Sequence, residues 1–366
     1  MTAKSKKVEK VLVVRSDRIG DTVLSSVAMQ ALKDQGYDPV FLIDEAVFPV
    51  FESTFLPEEL LVVSKKDKNL SGAKNLSQKL RDKFSAVIFL NADKWVSLSC
   101  FFAKIPVRVG PYSKWFSYLL YNQGLRQNRS RAIKNEKDYG LDLVSFFLQK
   151  QIDQNKYYPF LVPDRKLRAE VLEELRREKI QSPFVLVHPG MGGSALNIST
   201  SMYAQLISGL IDKGTKVILS GSEKDWPVIQ EIKEKIGPNN CLSTRVSEST
   251  PEALKKYLAL MSLSSVVVAP STGPLHMAAA VGTKTVSFYP PIRVQSKLRW
   301  GPQSKLATVF TPDVKCKETF HCAGARCKDY YCMDKIDPKQ VILEILSGAE
   351  SQNEKPSEIS ANTPSI

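Results

Sequence analysis

The sequence predicts an α/β protein built from two doubly wound, parallel-sheet domains in tandem, and three observations predict it. Short apolar runs alternate with helical segments along most of the chain. The alternation restarts after Pro163. At 366 residues and 43% hydrophobic content, the chain is longer than one core usually organises, so two domains are expected.

In the first half, residues 10–14, 39–43, 60–63, 86–90 and 107–109 are short apolar runs of the kind buried on both faces of a parallel sheet. Helices are predicted between them. Residues 21–32 carry Val23, Leu24, Val27, Ala28, Ala31 and Leu32 at helical spacing, and residues 70–84 and 138–148 repeat the amphipathic pattern. In the second half, Asp164 is placed to cap a charged helix running to about Lys179. Strands follow at 184–188, 216–219, 265–269 and 284–288, with helices near 202–211, 223–236, 251–261 and 338–346. The expected organisation is therefore a disordered basic N-terminus at 1–9, one domain at 10–162, a second at 163–346, and a tail at 347–366 too poor in apolar residues to pack.

Composition narrows the function classes. No run approaches the roughly 18–20 apolar residues that span a bilayer, and the opening MTAKSKKVEK leads into a strand rather than a signal sequence, so a cytoplasmic location is expected. The net charge is +13, and Lys104, Arg108, Lys114, Arg126, Arg129, Arg131, Lys134 and Lys137 crowd one stretch. Tyr112, Trp115, Phe116, Tyr118 and Tyr121 interleave with them. This mixture suits anionic lipid headgroups, a phosphorylated glycolipid or nucleic acid, or else is a solvated basic loop over core aromatics. No RNA-binding, zinc-finger or helix-turn-helix signature accompanies it, so no nucleic-acid partner is expected. Cys100 and Cys241 stand alone, whereas Cys316, Cys322, Cys327 and Cys332 cluster beside His321 at spacings that match neither a CxxC pair nor a usual zinc knuckle. A zinc site and an unligated cysteine loop are both open.

The densest signal lies at 265–290, where an apolar strand, the turn Pro270-Ser271-Thr272-Gly273-Pro274, a short apolar helix and a second strand follow one another. A turn between a parallel strand and a helix gathers backbone N–H groups at the positive end of the helix dipole, which suits phosphate. His276 adds a polar group one turn on. The first strand of the chain ends in Arg15-Ser16-Asp17-Arg18-Ile19-Gly20-Asp21, without a GxGxxG fingerprint. Gly20 permits close approach there. Asp21 is either the cap of the following helix or a carboxylate aimed into a cleft as a general base. In the second half, His188-Pro189-Gly190-Met191-Gly192-Gly193-Ser194 has the look of a phosphate cradle, and Ser220 to Asp225 places Glu223 and Asp225 at a strand tip.

Taken together, RSDRIGDTVLSS, HPGMGGSALN, GSEKD, STGPLHMAAAVG, RWGP and CMDKI, in that order from about Val11 to Leu346, resemble glycosyltransferase family 9, the heptosyltransferases of lipopolysaccharide core assembly. The resemblance implies a GT-B fold, two Rossmann-like domains facing a cleft. It implies a nucleotide-sugar donor, typically ADP-heptose, held by the C-terminal domain, and a lipid A–core acceptor at the N-terminal domain. Asp21 matches the general base of an inverting, metal-independent transfer that needs no cofactor. Ser271, Thr272, Gly273 and His276 match the donor-phosphate motif, Gly192, Gly193 and Ser194 the neighbouring loop, and Asp225 a nucleoside contact. Arg15, Arg18, Gly20, Lys114 and Arg126 are the implied acceptor-side residues, with the inner face of the inner membrane as the peripheral location. Two departures stand out. Ser271 replaces an Asp common in the family, and Leu196-Asn197-Ile198-Ser199 occupies a usually cationic stretch, leaving Lys297, Arg299 and Arg18 to balance the diphosphate. The alternative readings are a nucleotide-sugar epimerase of GT-B-like fold and a non-catalytic anionic-glycolipid-binding protein.

Overall fold

A computed structural model describes residues 9–350, apart from 194 and 240. It contains two six-stranded sheets. The first comprises β1 (Lys10–Arg15), β2 (Asp38–Asp44), β3 (Leu60–Val63), β4 (Ala86–Asn91), β5 (Val107–Pro111) and β6 (Gln123–Leu125). The second comprises β7 (Phe184–Val187), β8 (Lys216–Ser222), β9 (Leu242–Ser247), β10 (Val266–Pro270), β11 (Lys284–Phe288) and β12 (Ala307–Phe310). Every strand pairing is parallel.

The strand orders are β3-β2-β1-β4-β5-β6 and β12-β11-β10-β7-β8-β9, the same doubly wound order laid out twice. Parallel strands need helical crossovers, and these cover both sheet faces, which is why β1, β4, β7 and β10 are apolar almost throughout and buried. In each sheet the chain reverses direction at the centre, between β1 and β4 and between β7 and β10. A crevice opens beyond the strand ends at such a point. The halves also share a core: Val23 and Val27 belong to the same buried cluster as Leu275, Met277 and Ala278. The connecting segment is strapped to both, Val162 N donating to Thr54 Oγ1 at 3.0 Å and Leu161 N to the Ala280 carbonyl at 2.9 Å.

Several elements differ from expectation for local reasons. The predicted helix at 21–32 is two helices, Ile19–Ser25 and Val27–Lys33, broken where the Ser26 hydroxyl donates back to the Val23 carbonyl at 2.8 Å. The strands not anticipated, β6, β9 and β12, are all sheet edges. With one side unpaired they are only partly buried and lack the continuous apolar run that marks a central strand. The last helix, Pro338–Glu350, passes the expected stop at Leu346, with Ala349 buried and Lys284 Nζ donating to the Glu344 carbonyl at 3.1 Å. Glu9, assigned to the disordered start, offers its carbonyl to Asp38 N at 3.0 Å. The remainder of the two predicted disordered ends, 1–8 and 351–366, lies outside the described residues.

Asp164 caps its helix as the sequence proposes: its carboxylate accepts from Leu167 N at 2.9 Å, and the helix runs Arg165–Arg177. Asp164→Ala is expected to lower stability by about 1 kcal/mol. Urea unfolding followed by circular dichroism checks this, and an unchanged midpoint would remove the cap from the stability account.

Candidate functional site

The site begins where β1 delivers Arg15. Its guanidinium is buried at 2% exposure and every nitrogen is engaged: Nε donates to Asp17 at 2.7 Å, Nη1 to Glu136 at 2.7 Å and Nη2 to Asp21 at 2.6 Å. Arg15, expected on the acceptor side, has its guanidinium taken up by these three carboxylates and holds Asp21. Asp21 occupies the first turn of Ile19–Ser25 and is not its cap; Arg18 holds that position without a side-chain capping bond. Burial lifts the Asp21 carboxyl to about 6, against the pull of Arg15.

Glu136 anchors this cluster. It begins the helix Glu136–Leu148, whose cap is Asn135, and is 1% exposed. It accepts from Arg15 and, at 2.6 Å, from Arg129, and it pairs with Arg299, which comes from Lys297–Trp300 beyond β11. Burial alone would raise its pKa, yet three guanidinium groups hold it below the ordinary carboxylate range. Asn135 Nδ2 adds a second cross-connection, donating to the Gly301 carbonyl at 3.0 Å. The first half of the chain is thus clamped to the second through buried charge.

The rim is wired to the same cluster. Lys114 Nζ donates to Asn91 Oδ1 at 3.0 Å and to the Ala92 carbonyl at 2.9 Å, and Asn91 Nδ2 donates to Asp17 at 2.6 Å. Partial desolvation lowers the Lys114 pKa. Arg126 is farther out and exposed, lining a cavity of about 330 Å³ with Tyr112, Tyr118 and Arg129. Arg18 is also exposed.

Facing this mouth is the turn after β10. Thr272 is the extended N-cap of Gly273–Ala280, and its side chain makes no capping bond. The helix is buried, as its small apolar residues require. Two helix starts meet here: a Cβ built on Gly20 would lie 2.8 Å from His276 Cδ2 and 3.4 Å from Gly273 Cα. His276 is 5% exposed, its Nδ1 has no hydrogen-bond partner, and burial pushes its pKa down to about 4. The imidazole is neutral at neutral pH. Ser271 interacts with the Tyr289 hydroxyl, which donates to the Trp300 carbonyl at 2.6 Å, linking this turn to the segment carrying Arg299.

The neighbouring strands complete the second side. At the end of β7, His188 Nδ1 lies 2.9 Å from the Tyr257 hydroxyl, which lies 2.8 Å from Ser220 Oγ. Burial pushes His188 down to about 4, against the field of Asp225. Asp225 Oδ2 accepts from Ser222 N at 2.8 Å and Ser222 Oγ at 2.7 Å. Gly190 packs against that carboxylate so closely that a Cβ would overlap it. Gly192 and Gly193 form an open, exposed loop, with Gly193 at φ +73°, and its start is braced by Asn197 Nδ2 on the Pro189 carbonyl at 3.0 Å. Ser194 lies outside the described residues.

The structure thus brings Gly20, next to Asp21, against Gly273 and His276, beside Thr272, with Asp225 two strands away at the end of β8. Of the candidates for balancing phosphate charge, Arg299 is committed to Glu136, whereas Arg18 and Lys297 are exposed. Sequence reasoning missed Glu136, Asn91 and Tyr257, and it read Arg129 only as part of the basic stretch, not as a partner of Glu136. Glu136 reads in the sequence as an ordinary first-turn acid after an Asn cap, and no local pattern signals that it meets Arg129 together with the distant Arg15 and Arg299. Cys316, Cys322, Cys327 and Cys332 line one cavity of about 330 Å³ as free thiols. Among the described residues, no group of three or more His, Cys, Asp or Glu is placed to hold a metal ion, and no helix is long and apolar enough to cross a membrane.

Comparison with known proteins gives a consistent result. Residues 73–327 match the family described as glycosyltransferase family 9 (heptosyltransferase). A Haemophilus influenzae protein named for an inferred glycosyltransferase activity is 29% identical over 308 residues, covering 80% of this chain and 86% of that protein. The crystal structure of a family 9 glycosyl transferase from Veillonella parvula superposes with TM-score 0.78 at 16% identity, over 96% of this chain and all of that one. The E. coli ADP-heptose lps heptosyltransferase II superposes with TM-score 0.73 at 19% identity, over 94% and 99%.

Glu136→Gln is expected to destabilise the chain by about 3–5 kcal/mol, because it leaves buried guanidinium groups without their counter-charge. Denaturant unfolding measures this; a loss below about 1 kcal/mol would mean that water compensates the arginines and that the cluster is not a clamp.

Proposed function

The chain belongs to glycosyltransferase family 9, and from that premise we propose that it moves a heptose from ADP-heptose to a lipid A–core acceptor with inversion at the anomeric carbon. The observation that carries this reading is the close approach of Gly20 to His276 and Gly273, which sets the Asp21 helix against the start of the turn-and-helix unit suited to phosphate. A base and a leaving-group site then share one cleft.

In this mechanism the Asp21 carboxylate takes the proton from an acceptor hydroxyl as its oxygen attacks the anomeric carbon. The new glycosidic bond forms while the bond from that carbon to the diphosphate oxygen breaks, and ADP leaves with the negative charge. Arg15 fixes Asp21 through the 2.6 Å bond, which orients the carboxylate before substrate arrives. The Thr272 hydroxyl and the free N–H groups opening Gly273–Ala280 receive the departing phosphate oxygens. His276 contributes as a neutral imidazole, since burial holds it at about 4. Arg18, exposed at the start of Ile19–Ser25, supplies mobile positive charge. Metal and cofactor have no assigned part in these steps. Gly192 and Gly193 meet the donor from the neighbouring loop, Ser271 positions the turn through Tyr289, and Asp225 meets the nucleoside. Gly20, Lys114 and Arg126 line the acceptor approach.

Asp21→Asn is expected to lower transfer about 10²–10⁴-fold while leaving donor binding intact, measured by ADP release and by thermal shift with ADP-heptose. Retained turnover would end the assignment of the base. Because the unprotonated carboxylate is the active form, kcat/KM should fall as pH drops through about 6, and this limb should disappear in the variant. Gly20→Ala should lower both the melting temperature and kcat/KM, because the added carbon forces the buried His276 ring away; unaltered kinetics would show that the approach of the two helices is not needed.

A further inference from the structure

The segment joining β5 to β6 divides its bulky side chains by direction. Phe116, Ser117 and Tyr121 face inward and are buried. Tyr121 stacks on Phe89 with ring centroids 4.3 Å apart, and its hydroxyl lies 3.0 Å from Ser97 Oγ. Trp115, Leu119 and Tyr118 face outward and remain 70%, 69% and 57% exposed. Firm packing fixes this exposure: the Tyr118 ring stacks on Tyr112 at 4.9 Å, and Lys114 is tied to Asn91 and Ala92. Three large apolar groups held outward by a buried anchor mark a contact surface.

The surroundings indicate what the surface touches. Lys94 and Arg126 are exposed near it, Lys94 two residues beyond the Ala92 carbonyl that accepts from Lys114, and Arg126 sharing a cavity with Tyr118. Tryptophan and tyrosine favour the bilayer interface, where the ring sits among headgroups, and cationic side chains beside them meet lipid phosphates. The charge of +13 makes an anionic bilayer the complementary partner. A protein partner would more commonly meet a surface depleted of lysine.

We propose that Trp115, Tyr118 and Leu119 form a corner that enters the headgroup layer of an anionic membrane, with Lys94 and Arg126 against its phosphates. The corner is connected to the chemistry: Lys114 bonds Asn91, Asn91 bonds Asp17, Asp17 bonds Arg15, and Arg15 bonds Asp21. Seating the corner therefore fixes the cleft mouth beside the bilayer surface, where a glycolipid hydroxyl reaches Asp21 without leaving the membrane. The advantage for transfer rests on the proposed function, whereas membrane seating itself does not.

The test is co-sedimentation of the full chain with phosphatidylcholine vesicles and with vesicles also containing phosphatidylglycerol, at low and high salt. Binding to the anionic vesicles, weakened by salt, is expected, and the double variant Trp115→Ser, Leu119→Ser should bind about ten-fold less tightly or worse at an unchanged melting temperature. Trp115→Phe, which keeps an apolar ring, should retain most of the binding. The proposal is overturned if wild type ignores both vesicle types or if the double variant binds as wild type. It is also overturned if sedimentation equilibrium shows a wild-type dimer that the double variant loses, which would give the corner to a second copy of the chain. Transfer to a short water-soluble acceptor separates this idea from the reaction: vesicle binding without such transfer supports the corner and counts against the enzyme reading, and transfer without vesicle binding does the reverse.

Discussion

Glu136, buried at 1% exposure and ringed by Arg15, Arg129 and Arg299, is the constraint on which the rest of the site depends. A carboxylate in such a place is tolerated only when its charge is met closely, and three guanidinium groups meet it. Two of them belong to the first sheet's side of the chain and the third to the segment after β11. Arg15 passes the constraint on to Asp17 and Asp21, so the candidate base is oriented by the same charges that bind the two halves. An arginine saturated in this way is scaffolding, and what it holds is Asp21.

Around this clamp, the two sides of the cleft differ in electrostatics. The side of Asp21 is dense in ionised groups, and burial among them leaves the Asp21 carboxyl at about 6, within reach of a neutral-pH base. The side of the β7 and β10 turns relies on neutral polar groups: His276 and His188 are both pushed down to about 4, and Thr272, the helix start and the Tyr257–Ser220 pair supply hydrogen-bonding groups. Ser271, a neutral hydroxyl that bonds Tyr289, fits this neutrality. Gly20 allows the two sides to approach within a side chain's width.

Much of the fold was legible in the sequence because central parallel strands are covered on both faces. Residues 60–63 and 284–288 match β3 and β11 as built, and β1, β4, β7 and β10 differ only at their ends. Of the edge strands β3, β6, β9 and β12, β3 carries an apolar run of its own, whereas the other three lack one and emerged only once their partners were in place. The site divides in the same way. Thr272, Gly273 and His276 form one local turn-and-helix unit, and Asp21 lies in the turn-to-helix step after β1, so each half of the site is legible locally while their meeting is not. Asp21 nevertheless proved not to be the cap of its helix, a distinction that depends on backbone angles at Arg18.

The sequence by itself determined two doubly wound sheets, the order of their central strands' ligand loops, and a family resemblance that the comparisons bear out. Hydrophobic periodicity and turn chemistry act over a few residues and are written where they act. Only the tertiary structure decided that Glu136 gathers Arg15, Arg129 and Arg299, that Gly20 meets His276, and that Trp115 faces out while Tyr121 faces in. Those outcomes join residues separated by up to 256 positions, as between Gly20 and His276 (276 − 20). Coulombic attraction and steric fit between such residues exist only after the chain has closed, and no local pattern encodes them.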